Sequence, residues 1–563
     1  MDATNLNTLW ASAAIAALRA AGVHWLCLSP GSRSAPLAIA AAQQLTIRVH
    51  PDERCSAFLA LGAAKRSGRP VGLLCTSGTA AAHFFPAIIE AFASGVPLVV
   101  LTADRPPELR DCGAGQAIDQ IKLYGSFVRY FAEVGEPQMN PRALRALRAL
   151  TVRAVAVALG QTGGPPGPVH LNFPWPEPLA PWPGDPLPPA AIAAAQAPLS
   201  QSLPAQRWSL AWPVLPPHGL VVVGPYPQSP PGFEAAVRSL SDRLGYPLLA
   251  EATGLARTAG VIGTYDTFLR SPVFRDRHRP DLVIRFGAPP TSKVWHQWLE
   301  ECACPQVVVG SPVNNEPTHG PATFWEGDPL LFCQGLAPTA PIAPDSWREA
   351  FQQAHGQTLA AIATFLNPLT EWFEGKVYAE LARLLPPTVD VWVASSNPIR
   401  DLDSFFQESA IAPVWCHRGV NGIDGLISSA LGSAWVSDRP TVLVCGDLAF
   451  FHDLNGLWAA HRYGGNLTVV LVDNNGGGIF EGLPIRQTDV PFEELFAVPL
   501  DCDLAPAVRM YGGTWQEIAT WEEFRGALHQ AIAQGGLQVL RLQTDRQRSM
   551  ALRREFWEAA RLF

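Results

Sequence analysis

The chain carries little charge and has no excess of positive charge. Only 16% of its 563 residues are charged, and 49 Asp and Glu residues outnumber 41 Lys and Arg residues, giving a formal net charge of −8. Proteins that bind nucleic acid through a general electrostatic surface are basic, so no nucleic-acid partner is expected. Hydrophobic residues make up 48% of the chain. This balance is typical of a core-rich enzyme, and the length allows roughly three or four domains.

Motifs of several common functional classes are missing. No apolar run reaches about 18 residues, so no membrane span is expected. The Gly375-Lys376 pair is followed by Val377, so there is no Walker A loop, and no GxGxxG opens the first helix of the middle block. Neither HExxH nor GxSxG occurs. These absences argue against a nucleotide-binding module, a metalloprotease and a serine hydrolase.

Cysteines are present without a metal-binding or disulfide pattern. Of the ten, only Cys302 and Cys304 lie close together, and no second pair completes a zinc site. Cys27, Cys75 and Cys445 lie in apolar, strand-like runs, where buried free thiols are common. This usage predicts a protein of the reducing cytoplasm.

Short apolar strands bounded by Gly or Pro alternate with helical stretches along the chain. Examples are HWLCLS, PVGLLCTS, VPLVVLTA and PVHLNF in the first 173 residues. The alternation predicts an α/β fold of parallel sheets flanked by helices. Eight prolines in residues 174–189 indicate a stiff linker. The predicted organisation is a first domain at 1–180, a Pro-rich linker at 174–200, a middle domain at 201–345 and a third domain at 350–563.

The most informative segment is residues 446–480. An apolar strand ends in Gly446-Asp447, a helical stretch follows, and a second apolar strand runs into Asn474 and glycines 476–478. Asp447 and Asn474 are 27 positions apart, the length of a strand–helix–strand crossover, so both should emerge at neighbouring carboxyl ends of a parallel sheet. A carboxylate and an amide oxygen there could hold a hard divalent cation together with a diphosphate. The spacing resembles the metal–diphosphate motif of thiamine-diphosphate (ThDP) enzymes, with Leu448 where that motif has a third-position glycine.

Four further segments narrow the resemblance. They read SPGSRSAPL (29–37), TADRPPELRDCGAGQAIDQ (102–120), SSNPIRDLD (395–403) and HRGVNGIDG (417–425). Together they resemble the 2-succinyl-5-enolpyruvyl-6-hydroxy-3-cyclohexene-1-carboxylate synthase (SEPHCHC synthase) family of menaquinone and phylloquinone biosynthesis. The likeness covers the first and third blocks nearly end to end and is thinner in the middle block.

The resemblance implies a fold, a reaction and partners. The first and third domains would have the ThDP-binding fold, holding the pyrimidine and the diphosphate respectively, and the middle domain would be Rossmann-like. The reaction would be decarboxylation of 2-oxoglutarate and 1,4-addition of the resulting succinyl carbanion to isochorismate, with ThDP and Mg (or Mn) as cofactors. In this family the two cofactor-binding domains of one site belong to different subunits, so a homodimer or a dimer of dimers is expected.

The resemblance also assigns residues. Glu53 would be the catalytic acid that contacts the aminopyrimidine ring. The residues matching substrate contacts are Ser32, Arg33, Arg105 and Gln116 on the isochorismate side, Ser396, Arg400 and Arg418 on the succinyl side, and Lys293 in the middle domain. The residues matching cofactor contacts are Glu53, Gly419, Ile423, Gly446, Leu448, Asn474, Gly477, Ile479 and Phe480, and those matching metal ligands are Asp447, Asn474 and Gly476.

Each assignment has a structural alternative. Glu53 could be an acid favoured by the positive end of a helix dipole, and a single arginine could form a surface ion pair. Ile423, Ile479 and Phe480 could be core residues. Both substrates are dianions, however, and the four arginines are predicted in loops after strands, where open α/β sheets bind ligands. Lys293 is followed by Val294, where the family often has arginine, which puts the middle-domain contribution in question.

Two other functions remain open at this point. The first is another ThDP-dependent decarboxylase or carboligase acting on pyruvate or a branched oxoacid, whose site would need fewer arginines. The second is a non-catalytic ThDP-binding regulatory protein. The survival of Glu53, Asp447 and Asn474 argues against the second.

Overall fold

The structure is a computed structural model that describes residues 4–196, 215–226, 228–311, 316–325, 327–336, 342–411 and 413–560. Contacts divide the chain into two compact units. The first unit comprises Met1–Ala205 with Ile427–Asp438 and Asn455–Arg462, and the second comprises Gln206–Leu426, Arg439–Leu454 and Tyr463–Phe563. The described helices include none that is long and apolar enough to cross a membrane.

The first unit contains a six-stranded parallel sheet. Its strands are β1 (Trp25–Leu28), β2 (Thr46–Val49), β3 (Val71–Cys75), β4 (Leu98–Asp104), β5 (Tyr130–Glu133) and β6 (Val169–Pro174), in the order β2-β1-β3-β4-β6-β5. Its helices are α1 (Leu6–Ala20), α2 (Ala35–Gln44), α3 (Glu53–Ser67), α4 (Thr79–His83), α5 (Phe85–Ser94), α6 (Pro141–Ala158) and α7 (Pro189–Gln196). β3, β4 and β6 are buried along their whole length, as expected for strands covered by helices on both faces.

The described part of the predicted linker packs against the first unit. Asn5 donates from Nδ2 to the carbonyl oxygens of Ala180 and Trp182, both at 3.0 Å. Arg148 of α6 donates to the carbonyl oxygen of Ala194 in α7 at 3.0 Å. Residues 197–200 lie outside the described residues. The linker bounds therefore stay a prediction, but residues up to 196 are fixed by α1 and α6.

The second unit contains two parallel sheets. The strands of the middle sheet are β7 (Gly219–Val223), β8 (Leu248–Ala250), β9 (Val261–Ile262), β10 (Leu282–Phe286), β11 (Gln306–Val309) and β12 (Ala322–Trp325), in the order β12-β11-β10-β7-β8-β9. The associated helices are α8 (Phe233–Leu244), α9 (Tyr265–Phe268), α10 (Pro272–Arg277), α11 (Lys293–Cys302), α12 (Pro329–Gly335) and α13 (Asp345–Leu366).

The last sheet carries the motif of residues 446–480. Its strands are β13 (Asp390–Val393), β14 (Thr441–Gly446), β15 (Leu467–Asp473), β16 (Thr514–Ile518) and β17 (Leu537–Gln543), in the order β13-β14-β15-β17-β16. The helices in this part of the chain are α14 (Glu374–Leu384), α15 (Asn397–Phe405), α16 (Leu426–Trp435), α17 (Asp447–His452), α18 (Leu457–Tyr463), α19 (Ala505–Met510), α20 (Trp521–Gln534) and α21 (Arg546–Ala559). Of these, nearly all of α16 and α18 belongs to the first unit. The predicted fold class, α/β with three parallel sheets, is confirmed.

Two local predictions were wrong. The helical stretch expected after Asp447 is split into α17 and α18 by a 3-10 turn at Leu454–Gly456. Residues 455–462 then pack in the first unit. Arg400, expected in a loop, lies in the first turns of α15, which begins at Asn397 with Ser396 at its N-cap and Pro398 in its first turn.

Candidate active site

Asp447 occupies the first position of α17, directly after the end of β14. Its side chain is 2% exposed. Oδ1 accepts from the Leu448 amide at 2.8 Å, and Oδ2 accepts from the Gly476 amide at 2.6 Å. Burial and the negative charge of neighbouring Asp473 raise the pKa of Asp447 to about 7. A bound cation would remove this penalty, because it favours the ionised carboxylate.

Asn474 follows β15, the strand that pairs with β14. Its Nδ2 donates to Glu374 Oε1 at 2.7 Å. Its Oδ1 is buried and has no hydrogen-bond partner among the residues that the structure describes. Gly446 and Asn474 line one small cleft with Glu374, Tyr378, Asn397, Pro398, Asp401 and Val472. An orphaned amide oxygen beside a buried carboxylate fits a hard cation, which takes oxygen ligands.

Glycines after Asn474 permit close backbone packing. A Cβ on Gly476, whose φ is +131°, would lie 2.3 Å from the Ala497 carbonyl oxygen. A Cβ on Gly477 would lie 2.7 Å from the Phe480 ring and 2.8 Å from the Phe496 carbonyl oxygen. No side chain fits at either position. The carbonyl oxygen of Gly476, a predicted metal ligand, already accepts from the Gly478 amide at 2.9 Å, which leaves one lone pair for a cation.

The apolar residues assigned to the cofactor lie in loops and a 3-10 helix of the second unit. Ile423 is half-buried before α16, and Gly419 lies four residues earlier. Ile479 and Phe480 are half-buried in the 3-10 helix Gly478–Gly482, where the Phe480 ring lies 5.7 Å from that of Phe496. Because these side chains keep exposed surface, they are not simple core residues.

Two arginines converge near the start of α15. Arg400 donates from Nη1 to the carbonyl oxygen of Ser396 at 2.6 Å. Desolvation and the positive charge of Arg418 lower the pKa of Arg400. The Nε of Arg418 is buried without an acceptor among the described residues. A guanidinium donor without an acceptor near a second guanidinium group suits a carboxylate ligand.

Residues of the middle domain also lie near Arg400. Asp266 accepts from Ser292 Oγ at 2.6 Å and is paired with Arg270 at 2.9 Å. Burial raises the pKa of Asp266, but Arg270, Ser292 and, further away, Arg400 lower it below its usual value. Ser292 caps α11, whose first residue is the exposed Lys293. Helix α9, which carries Asp266, contacts both α11 and α15.

In the first unit, Glu53 is the first residue of α3. Asp52 caps this helix by accepting from the amides of Arg54 at 2.9 Å and Cys55 at 3.3 Å. The half-buried carboxylate of Glu53 reaches the end of β3, where its charge adds to burial in raising the pKa of the Cys75 thiol. Helix α3 also packs against β3, the strand that leads into residues 76–78.

A second pair of arginines lies in the first unit. Arg33 is 7% exposed, donates to the Trp175 carbonyl oxygen at 2.8 Å and pairs with Glu177 at 3.2 Å. Arg105 donates from Nε and Nη2 to the Gly115 carbonyl oxygen at 3.2 and 2.9 Å. Burial and the charge of Arg105 lower the pKa of Arg33. Arg33 Nε and Arg105 Nη1 are buried without acceptors in the described ranges, so this pair can also accept an anion.

The remaining first-unit assignments are less enclosed. Ser32 and Gln116 are exposed, and Gln116 has a φ of +54°. The loop of Gln116 packs against Gly78, where a Cβ would lie 3.3 Å from the Gln116 carbonyl oxygen. Gln120, which the sequence did not single out, anchors this loop: it accepts from the Gly78 amide at 2.9 Å and donates to the Ala103 carbonyl oxygen at 3.1 Å.

Comparison with known proteins identifies the family. The chain matches "Thiamine pyrophosphate enzyme, N-terminal TPP binding domain" over residues 10–123, "Middle domain of thiamine pyrophosphate" over 174–393 and "Thiamine pyrophosphate enzyme, C-terminal TPP binding domain" over 413–542. It is 42% identical to the SEPHCHC synthase of Geobacillus thermodenitrificans over 572 residues, covering 99% of this chain and 96% of that protein. It is 42% identical to the SEPHCHC synthase of Synechococcus elongatus over 578 residues, covering 98% and 96%.

The chain belongs to the SEPHCHC synthase family. Solved structures of other ThDP enzymes share the fold of this SEPHCHC synthase family member. The benzoylformate decarboxylase of Polynucleobacter necessarius superposes with a TM-score of 0.67 at 15% identity, covering 95% of this chain and 98% of that one. The 4-hydroxybenzoylformate decarboxylase of Rhodococcus jostii gives 0.67 at 15% identity, covering 95% and 99%. These likenesses support the three-domain architecture.

Three buried residues next to the assigned ones were not predicted from the sequence. Glu374, Asp401 and Arg553 are 2%, 3% and 4% exposed and are joined by hydrogen bonds. Glu374 and Arg553 lie in none of the quoted motifs, and Asp401 lies in SSNPIRDLD (395–403) but was given no role there. A charged residue in a helical stretch is too common to assign a role from sequence.

Proposed function

We propose that the chain catalyses the ThDP- and Mg- (or Mn-) dependent decarboxylation of 2-oxoglutarate and the 1,4-addition of the resulting four-carbon unit to isochorismate, releasing SEPHCHC and CO2. The relatives at 42% identity over nearly their whole length carry the name of this product. The observation that supports the proposal most directly is the orphaned amide oxygen of Asn474 beside the buried carboxylate of Asp447.

The last sheet would hold the phosphate end of the cofactor. Asp447, Asn474 and the carbonyl oxygen of Gly476 would supply oxygen ligands to a divalent cation bound with the cofactor. Glycines 476 and 477 keep side chains out of this space. Gly446, Leu448 and Gly419 would line the diphosphate and thiazolium region, and Ile423, Ile479 and Phe480 would exclude water from the reacting carbon.

Glu53 would hold a proton at the ring end of the cofactor. Bound ThDP supplies the nucleophilic carbon and the electron sink that loss of CO2 requires. Glu53 would hold the proton that it shares with the ring of the bound cofactor. Its position in the first turn of α3, a helix that packs against β3, supports this role.

The arginine pairs would bind the two dianionic substrates. Arg33 and Arg105, with Ser32 and Gln116 near them, would bind isochorismate. Arg400 and Arg418, with Ser396, would bind the succinyl carboxylate, and Lys293 would add positive charge from the middle domain. Guanidinium donors that lack protein acceptors support this assignment, because buried donors require partners.

The working form is proposed to be a homodimer or a dimer of dimers in the cytoplasm. The family resemblance supports the assembly. None of the ten cysteines, all of which are described, forms a disulfide, and seven of them are buried, which supports a reducing compartment. Light scattering at working concentration measures the assembly, and a monomer with full activity would contradict it.

The test is a reconstitution with purified protein. ThDP, Mg²⁺, 2-oxoglutarate and isochorismate are combined, and loss of isochorismate and release of CO2 are followed together. We expect stoichiometric consumption that stops when any one component is omitted. Turnover of pyruvate without 2-oxoglutarate would favour a pyruvate-type carboligase, and absence of ThDP binding in the presence of Mg²⁺ would refute the proposal.

A further inference from the structure

The carboxamide of Asn474 is held in one of its two possible orientations. Its Nδ2 donates to Glu374 Oε1 at 2.7 Å, while Oδ1, at the other end of the carboxamide, has no partner among the described residues. A carboxamide can be turned over at little steric cost, since its oxygen and nitrogen have similar sizes. The hydrogen-bond partner of the carboxamide must therefore determine which of its two polar atoms remains available to bind a ligand.

The carboxylate of Glu374 determines which polar atom of the Asn474 carboxamide remains available. A carboxylate accepts hydrogen bonds and donates none, so it binds the NH2 group of Asn474 and repels the amide oxygen. The oxygen is then the atom left free. A divalent cation needs this arrangement, because the reversed carboxamide would present N–H groups to a positive charge.

Glu374 is itself held in place by its neighbours. It is 2% exposed and begins α14. Its Oε2 accepts from Arg553 Nη2, and its Oε1 also accepts from Thr544 Oγ1 at 3.3 Å. Arg553 in addition donates from Nε to Asp401 at 2.9 Å. The guanidinium of Arg553 compensates the buried negative charge, so Glu374 can remain an acceptor.

We propose that Glu374 is a positioning residue that orients the carboxamide oxygen of Asn474 toward the divalent cation. The proposal rests on the proposed function, which places a cation at Asp447 and Asn474. It adds a role for Glu374, with Arg553 as its support.

The test measures the Mg²⁺ concentration at half-saturation. Mg²⁺ is titrated into the full-length protein at saturating ThDP, and binding is followed by intrinsic tryptophan fluorescence and by calorimetry. Glu374→Gln should raise the Mg²⁺ midpoint about 10- to 100-fold, the usual effect of removing a partner of a metal ligand. The kcat at saturating Mg²⁺ should be retained, since excess cation restores the oriented amide.

A matched control separates orientation from simple destabilisation. Asp403→Asn makes the same carboxylate-to-amide change at another buried ion pair of the second unit, with Arg257. Asp403→Asn should lower the melting temperature without shifting the Mg²⁺ midpoint. An unchanged midpoint in folded Glu374→Gln, or an equal shift in Asp403→Asn, overturns the proposal.

A double variant that exchanges the carboxylate and the amide keeps the proposal testable if Glu374→Gln alone does not fold. Asn474→Asp places two carboxylates against each other, and adding Glu374→Gln supplies a donor for the new carboxylate. The double variant should bind Mg²⁺ more tightly than Asn474→Asp alone, and equal or weaker binding overturns the proposal. If the wild-type protein shows no Mg²⁺-dependent ThDP binding, the proposed function fails instead.

Discussion

A buried polar network lies behind the assigned residues of each unit, and the two networks differ in chemistry. In the first unit, Asn172 Oδ1 accepts from Thr102 at 2.7 Å and from Gln120 at 2.9 Å, and Asn172 Nδ2 donates to Asp104 at 2.8 Å. Thr102 also contacts His170 Nε2 at 2.7 Å. Thr102, Asn172 and Gln120 are uncharged, whereas Asp104 and Glu133, which both accept from Asn172 Nδ2, pair with Arg110 at 2.9 and 2.7 Å. Gln120 accepts from the backbone amide of Gly78.

The network of the second unit is ionic. Arg553 pairs with Asp401 and Glu374, and Glu374 accepts from Asn474. Burial, which lowers the pKa of Arg553, is outweighed by the two carboxylates, which raise it. Neutral donors and acceptors fix where a loop lies. A buried carboxylate in addition fixes which atom of an amide remains available, because it can only accept.

The largest effect is expected where chemistry depends on one carboxyl group. Glu53→Gln should lower kcat by about 10² to 10⁴, the range for loss of a general acid–base group, while the Mg²⁺ midpoint stays at the wild-type value. Steady-state kinetics and calorimetry with ThDP measure the two quantities. Glu136→Gln, a conservative change elsewhere in the first unit, is the control, and full activity in Glu53→Gln would remove Glu53 from the mechanism.

The second-largest expected effect is a loss of folding stability, and it tests the ionic network of the second unit. Arg553→Met leaves two buried carboxylates unpaired and should lower the free energy of unfolding by about 3–5 kcal/mol. Guanidinium unfolding of the apoprotein measures it. Arg548→Met on the same helix breaks only exposed pairs with Glu371 and Glu555 and should leave stability essentially unchanged. Equal stability of the two variants would show that the network is not needed for the fold.

The network of the first unit should make the folded protein less stable in acid. Burial lowers the pKa of His170 from its usual 6.5 to about 3. Between these values the unfolded chain binds a proton that the folded chain does not, so stability is lost as pH falls below 6.5. From pH 7 to pH 5 this loss is about 2 kcal/mol.

His170→Gln should remove that part of the pH dependence. Unfolding free energies at pH 7 and pH 5 measure the difference, and His24→Gln, at an exposed position, is the control. The same slope in wild-type and His170→Gln proteins would show that His170 is not buried in its neutral form.

The smallest effects distinguish the two arginine pairs. Arg105→Lys should raise the KM for isochorismate about tenfold, and Arg418→Lys should do the same for 2-oxoglutarate, because each loses one charge-assisted hydrogen bond worth about 1.5 kcal/mol. Separate titrations of each substrate measure the two KM values. A rise in both KM values for either variant would mean that the pairs do not divide the substrates.

Spacing within one supersecondary unit made part of the site predictable. Asp447 and Asn474 follow adjacent parallel strands, β14 and β15, as the sequence indicated. Glu374 and Arg553 come from α14 and α21, far from Asn474 in sequence, and no periodic pattern links them. Their pairing depends on how helices pack across the sheet. The break between α17 and α18 was missed for a similar reason, since the helical pattern continues through Leu454–Gly456 while packing divides it.

The sequence by itself determined the family, the three parallel sheets and the positions of residues at strand ends, because these follow from local apolar periodicity and short motifs. Tertiary structure alone decided which buried charges meet and which side-chain atoms are left without partners. Such pairing is set by low-dielectric contacts between distant segments, where a carboxylate and a guanidinium stabilise each other only when packing brings them within hydrogen-bonding distance.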